Sequence, residues 1–227
     1  VSDFDNILIE IANENYYGAE WERHLCEFIR EQERGRRRQH LLMPLDLLSH
    51  SSVVQKWNPK IIHAALLEKR RLRQPLIFDT DWIINNDDDQ VRRAMWTAVL
   101  SGGHFNYMDD SLPFRTRPVP DRRANLHRQI GSMALFVKRL KPWTMQPADA
   151  LVKSGQAFVM ASTNELAAYL PAGGRVTLDL NQIQGRFNAA WFNPRKGVFS
   201  ESNNVGGGTL REFTAPDGHD WALLLKP

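Results

Sequence analysis

Cysteine occurs once in this chain, at position 26, so no intrachain disulfide can form. Long apolar runs are missing too. No stretch of about 18 apolar residues exists, which excludes a transmembrane helix, and no membrane partner is expected. Several chemistries lack their motifs: there is no GxSxG, P-loop, GxGxxG, HExxH or paired CxxC. Asp87–Asp89 lack the glycine and the distal glutamate of an EF-hand loop. No cofactor and no metal is therefore expected. Charge of one sign does not dominate, with 29 basic and 26 acidic residues. The basic residues cluster in "ERGRRRQH", "EKRRLR" and "PDRRANLHR". No nucleic-acid motif or interleaved aromatic set accompanies them. They read as solvated outer faces of helices, with no nucleic-acid partner.

What remains is an ordinary globular composition, 42% hydrophobic and 24% charged over 227 residues. That length allows one large domain or two modest ones. Its first part alternates short apolar runs with amphipathic stretches. "NILIEIAN" reads as a buried strand, and "AEWERHLCEFIREQER" as a helix with Trp21, Leu25, Phe28 and Ile29 on one face. Cys26 falls in that pattern as a buried thiol. "HLLMPLDLL" is a second strand. "PKIIHAALLEKRRLR" holds a third, over Ile61–His63, and then a helix. "QPLIFDTDW" is a fourth strand and "HFNYMDD" a short fifth. Between them, "DDDQVRRAMWTAVLSGG" is a helix that Asp87–Asp89 favour at its start and Gly102–Gly103 stop. "RRANLHRQIGSMALFVKRL" closes the series as a long helix. Strand–helix alternation at this spacing predicts βαβ units and a parallel sheet.

After Trp143 the texture changes. "QAFVMAST", "ELAAYLPAGGRVTLDL", "GRFNAAWFNPRKGVF" and "TLREFTAPDGHDWALLL" read as strands separated by Gly, Pro, Asn and Asp turns. This predicts a small antiparallel sandwich over residues 144–227, following an α/β domain over 1–143. Gly206–Gly208 read as a flexible turn.

Two places concentrate carboxylates. Glu14 follows Asn13 at the carboxyl end of the first strand. Two readings stand side by side: a helix cap, with Asn13 capping and Glu14 favouring the dipole, or a catalytic group at the rim of a parallel barrel. Asp79 and Asp81 end another apolar strand and, two apart, point to the same face. A carboxylate pair at one rim is what glycoside hydrolysis needs: one protonated acid for the leaving oxygen and one ionised group facing the anomeric carbon. Tyr16, Trp82 and Tyr107 lie at or just past strand ends, where flat rings can stack on sugar faces. Asn106 adds a polar group at the last strand, and His63 ends "KIIH" with two readings open, a group that touches the same rim or a satisfied structural histidine.

These stretches resemble a known family. "FDNILIEIANENYYGAEW" is similar to the fourth strand of retaining (β/α)8-barrel glycoside hydrolases, where an Asn-Glu pair carries the acid/base. The resemblance makes Glu14 the acid/base and Asn13 the partner of the sugar 2-hydroxyl. "QPLIFDTDW" then resembles the seventh strand, which bears the nucleophile, and "SGGHFNYMDDS" the eighth. More narrowly, the chain resembles the apiosidase-like, endoglucanase-type branch. There a small β domain named for collagen binding follows the barrel, and "LPAGGRVTLDL", "AAWFNPRKG" and "FTAPDGHDWALLL" are similar to it. The family usually has Glu as nucleophile; here the strand offers Asp79 and Asp81, and counting from Pro75 does not separate them. On this register strands one to three are missing.

The resemblance thus implies the C-terminal portion of a TIM barrel followed by a β-sandwich. It implies a carbohydrate substrate, a secreted or periplasmic location, and a need for the N-terminal barrel half, in cis or as a partner chain, for solubility and activity. A second reading is a non-catalytic glycan- or matrix-binding protein on a degenerate barrel scaffold.

Overall fold

The computed structural model describes residues 4, 6–12, 17–43, 58–70, 76–78, 87–107 and 124–227. The chain forms two compact units, Val1–His50 and Ser51–Pro227.

In the first unit, β1 (Leu8–Glu10) pairs in parallel with β2 (Leu41–Met43), in register Leu8 to Leu41. The helix α1 (Ala19–Gln32) lies between them in sequence, entered through Gly18 at φ 88°. Glu20 and Glu22 in its first turn suit the helix dipole. Two expectations are corrected here. Phe28 is exposed, while Glu22 is buried and Leu25 and Ile29 are half-buried. At about 100° per residue, a buried face centred between Glu22 and Ile29 leaves Phe28 roughly 110° away. Cys26 is half-buried, not buried; desolvation, and then the Glu22 charge, push its thiol up. β1 is also not the buried strand expected. Leu8 and its register partner Leu41 are both exposed; among the described residues each of the two strands has one neighbour, where a buried parallel strand has two.

The second unit opens with α2 (Pro59–Arg70). This overturns the strand expected over Ile61–His63. Asn58 accepts from Lys60 N through its side chain and from Ile61 and Ile62 N through its carbonyl, and Pro59 occupies the first helical position. That is a helix start, and Ile62 and Leu66, four apart, form the buried stripe. β3 (Ile77–Phe78) and β4 (His104–Phe105) pair in parallel, and α3 (Asp88–Leu100) connects them. Asp87 caps α3 by accepting from Gln90 N at 2.7 Å. Its far end closes with Gly102 N bonded to Val99 O and Gly103 N to Ala98 O. This needs Gly102 at φ 81°, a conformation that side chains resist. α4 (Ala124–Val137) follows.

The remaining strands are all antiparallel: β5 (Gln146–Pro147), β6 (Val152–Ser154), β7 (Phe158–Ala161), β8 (Leu166–Leu170), β9 (Arg175–Asp179), β10 (Arg186–Asn193), β11 (Val198–Phe199), β12 (Asn203–Gly206), β13 (Leu210–Thr214) and β14 (Trp221–Lys226). One sheet runs β11-β10-β14-β8-β7-β5, with β12 also on β10; the other runs β13-β9-β6. Leu166, Ala168 and Leu170 of β8 share one apolar core with Val176, Leu178 and Phe213 of the smaller sheet. The alternate residues Ala167 and Tyr169 point the other way and join Met95, Trp96 and Leu100 of α3 and Phe136 of α4 in a second core. That is why five consecutive β8 residues are buried. It is also why α3 is buried nearly all round: Ala94 and Ala98 meet Ile62, Leu66 and Phe78 on its other side.

Backbone bonds hold the turn after β12, and close approach favours glycine there. Gly207 N bonds Gly185 O, Gly208 N bonds Leu180 O and Ile183 O, and a Cβ on Gly207 would fall 1.8 Å from Ile183 O.

Candidate functional site

The parallel pair of β3 and β4 defines one rim. His104 N donates to Leu76 O at 2.7 Å, and Asn106 N donates to Phe78 O at 3.0 Å. The carboxyl ends of both strands therefore lie side by side, and the next residue in the chain after Phe78 is Asp79. Asn106 is exposed there, and Tyr107 is half-buried, its ring 6.5 Å from the His127 ring and packed near Val91 and Leu126. Asp87, capping α3, opens the helix that follows β3. In a parallel β/α arrangement, strand carboxyl ends and following helix N-termini share one face, the face where such folds carry their chemistry.

In the first unit the corresponding strand end is that of β1. Ile11 N bonds Met43 O at 3.1 Å, and the described chain continues to Ala12. It resumes at Tyr17, which is exposed with its ring 5.1 Å from Trp21. Asn13, Glu14 and Tyr16 lie outside the described residues, as do Asp79, Asp81 and Trp82.

His63 does not stand at a strand end. It lies within α2, its Nδ1 2.7 Å from Ser101 Oγ and its Nε2 2.8 Å from Asp149 Oδ2. Ser101 itself donates to Thr97 O at 2.6 Å and is buried. With its proton committed there, the hydroxyl faces His63 as an acceptor, so this Ser-His-Asp arrangement has no activated nucleophile. The His63 ring packs 4.5 Å from Phe158. It is a structural histidine that fastens α2 to the β strands. Sequence spacing could not find that role, because Asp149 is 86 positions away.

A second polar cluster escaped the sequence altogether. Arg92, on α3, bonds Asp220 twice, through Nε at 3.0 Å and Nη2 at 2.9 Å. Its Nη1 reaches Gln129 Oε1 at 3.1 Å and also bonds Asp89. Tyr169 Oη donates to Asp220 at 3.1 Å. Burial alone would lower the Arg92 pKa; the bonds and charge of Asp220, joined by Asp89, outweigh it and hold the guanidinium above its ordinary value. Burial, followed by the Asp220 charge, pushes the Tyr169 phenol well up. Nearby, Asp217 is held down at about 2 by Trp221 Nε1, then by His219 N and Arg195. These groups pair with one another. Among the described residues no group of histidines, cysteines and carboxylates is arranged to hold a metal, and no helix is long and apolar enough to cross a membrane.

Comparison with known proteins bears on both parts of the chain. Residues 149–226 match the family described as "Putative collagen-binding domain of a collagenase". One similar solved structure is a glycoside hydrolase, at 17% identity and TM-score 0.59 over 72% of this chain and 45% of that one. Another is a glycoside hydrolase family 5 protein from Bacteroides vulgatus ATCC 8482, at 15% identity and TM-score 0.57 over 74% and 44%. At such identities the likeness is one of fold. The chain spans under half the length of these structures. No curated protein matches it in sequence.

Proposed function

We propose that this chain is the C-terminal part of a retaining glycoside hydrolase of the apiosidase-like, endoglucanase-type branch. Residues 1–143 would be a portion of a TIM barrel and 144–227 a β-sandwich packed on its helices. The observation that carries the reading is the parallel β3–β4 pair, whose shared carboxyl rim presents Asn106 beside the point where Asp79 continues the chain. The fold likeness to two glycoside hydrolases supports it.

In this reading Glu14, as the carboxylic acid, gives its proton to the glycosidic oxygen. Asp79 or Asp81 attacks the anomeric carbon, and the leaving sugar departs as an alcohol. The glycosyl ester so formed is opened by water, whose proton returns to the Glu14 carboxylate; no cofactor takes part. Asn13 bonds the sugar 2-hydroxyl, and Tyr16, Trp82, Asn106 and Tyr107 shape the site. His63, engaged by Ser101 and Asp149, is left out of it. An N-terminal barrel half, in cis or as a partner chain, completes the cleft. The test is hydrolysis of aryl glycosides by the completed protein, with product stereochemistry read by NMR. Retention requires the two carboxyls about 5–5.5 Å apart; inverted product would overturn the mechanism.

A further inference from the structure

Two aromatic rings meet on the carboxyl side of β1. Tyr17 lies between the end of that strand and the start of α1, three positions after Glu14. Trp21 stands in the first turn of α1. The ring centroids are 5.1 Å apart and the planes are tilted by 37°. Gly18, at φ 88°, turns the chain between the two. Trp21 is half-buried and backs the tyrosine from the helix, yet Tyr17 stays 76% exposed.

The place of this pair in the fold says what it can hold. A strand's carboxyl end and the N-terminus of the helix after it share the face where parallel β/α folds do their chemistry. Tyr17 and Trp21 are therefore on the face toward which β1 runs, and Glu14 lies on the same connection between β1 and α1. A general acid must touch the oxygen that it protonates, and that oxygen departs with the leaving group. An aromatic so close in the chain to Glu14 thus belongs on the leaving-group side. A flat ring with an open face takes a flat, apolar surface. The C–H face of a pyranose is one, and its hydroxyls can bond the phenol. A small alcohol would leave the ring uncovered.

We infer that Tyr17, backed by Trp21, is a stacking platform for the sugar unit on the leaving side of the cleaved bond. The substrate is then an oligosaccharide or polysaccharide that continues past the cut, not a glycoside of a small alcohol. The inference rests on the glycosidase reading with Glu14 as the acid, and its test separates the two.

The test uses the 227-residue chain combined with the polypeptide encoded directly upstream of it. Hydrolysis of cellotetraose and xylotetraose is compared with that of β-glucosyl and β-xylosyl fluoride, whose fluoride leaves no sugar to stack. Saturation-transfer NMR follows tetraose binding in parallel. Tyr17→Ala should lower kcat/KM at least tenfold more for the cleaved tetraose than for its fluoride, with the loss in KM. Tyr17→Phe, which keeps the ring, should recover most of it. Equal losses on tetraose and fluoride would give Tyr17 a structural role and overturn the platform. Tetraose hydrolysis that Tyr17→Ala leaves within twofold would overturn the platform and keep the glycosidase. Tetraose binding that Tyr17→Ala abolishes, with no substrate hydrolysed, would keep the platform and remove the glycosidase reading. Absence of both binding and hydrolysis with every probe would overturn the platform. So would loss of the cooperative melt in Tyr17→Ala and Tyr17→Phe alike, or failure of the Tyr17→Ala chain to bind the upstream polypeptide.

Discussion

Arg92 and Asp220 stand 128 positions apart and meet as a bidentate ion pair, both side chains almost wholly buried. The pair joins α3 to the residue preceding β14, and Tyr169 completes it from β8. A buried pair adds little over a well-packed apolar substitute, but losing one partner strands a charge. Asp220→Ala should therefore cost about 3–5 kcal/mol in urea unfolding. Arg92→Met combined with Asp220→Leu should recover most of that loss. A cost below about 1 kcal/mol for Asp220→Ala would show the pair to be accessible to water.

The same interface predicts that the β strands are not a detachable accessory. Met95, Trp96 and Leu100 of α3 share their core with Phe158, Tyr169, Phe192 and Leu224. Removing residues 144–227 would expose them, at about 1.5–3 kcal/mol for each large side chain. A few such losses are comparable with the roughly 5–15 kcal/mol that holds a domain together. The truncated chain should show no cooperative thermal transition. A soluble 1–143 fragment that melts sharply would contradict this.

The proposed acid/base gives the third prediction. In the completed protein, Glu14→Gln should lower kcat by about 10²- to 10⁴-fold with the fold intact, since general acid–base catalysis typically supplies that much. Azide should rescue turnover in whichever of Asp79→Gly and Asp81→Gly removes the nucleophile, giving a glycosyl azide of inverted configuration. Full activity in Glu14→Gln would rule that residue out.

The helix signals were legible where they were local. Asp87 before α3 and Gly102–Gly103 after it mark both ends, and each does so through bonds within a few residues. The antiparallel strands after Trp143 were legible from their turns. Ile61–His63 misled because a short β-branched run was weighed above the Asn58–Pro59 start signal directly before it. Phe28 misled because a heptad neighbour of Trp21 need not share a buried face centred one residue on. The Arg92–Asp220 and His63–Asp149 contacts were out of reach, since each pairs residues that only the folded topology brings together. Of the expected site, Asn106 and Tyr107 fall at a strand's carboxyl end as the pattern required.

A pH dependence follows from His40 and Glu33. His40 Nε2 lies 2.6 Å from Phe4 O, and its Nδ1 bonds the Glu33 carboxylate, which also accepts from His40 N at 3.0 Å and from Arg30. Carbonyl and carboxylate both accept, so both ring nitrogens must donate, and the pair is imidazolium with carboxylate. Phe4 precedes β1 and His40 precedes β2, so the histidine ties the entrances of the two strands. The Glu33 bond first, and then the Phe4 carbonyl, raise His40 above its ordinary 6.5 despite burial and Arg36. The His40 bond lowers Glu33 below 4.5. A raised histidine gives its full stabilisation below 6.5 and loses it as pH climbs through the folded value. A depressed glutamate gives its share above 4.5 and loses it as pH falls through its folded value. The tie is thus at full strength between 4.5 and 6.5. Amides of Leu8–Glu10 and Leu41–Met43 should be better protected from exchange at pH 6 than at pH 9, after correction for intrinsic rates. His40→Gln should lower protection at pH 6 and flatten the profile. An unchanged profile in that variant would mean that His40 does not hold the strands.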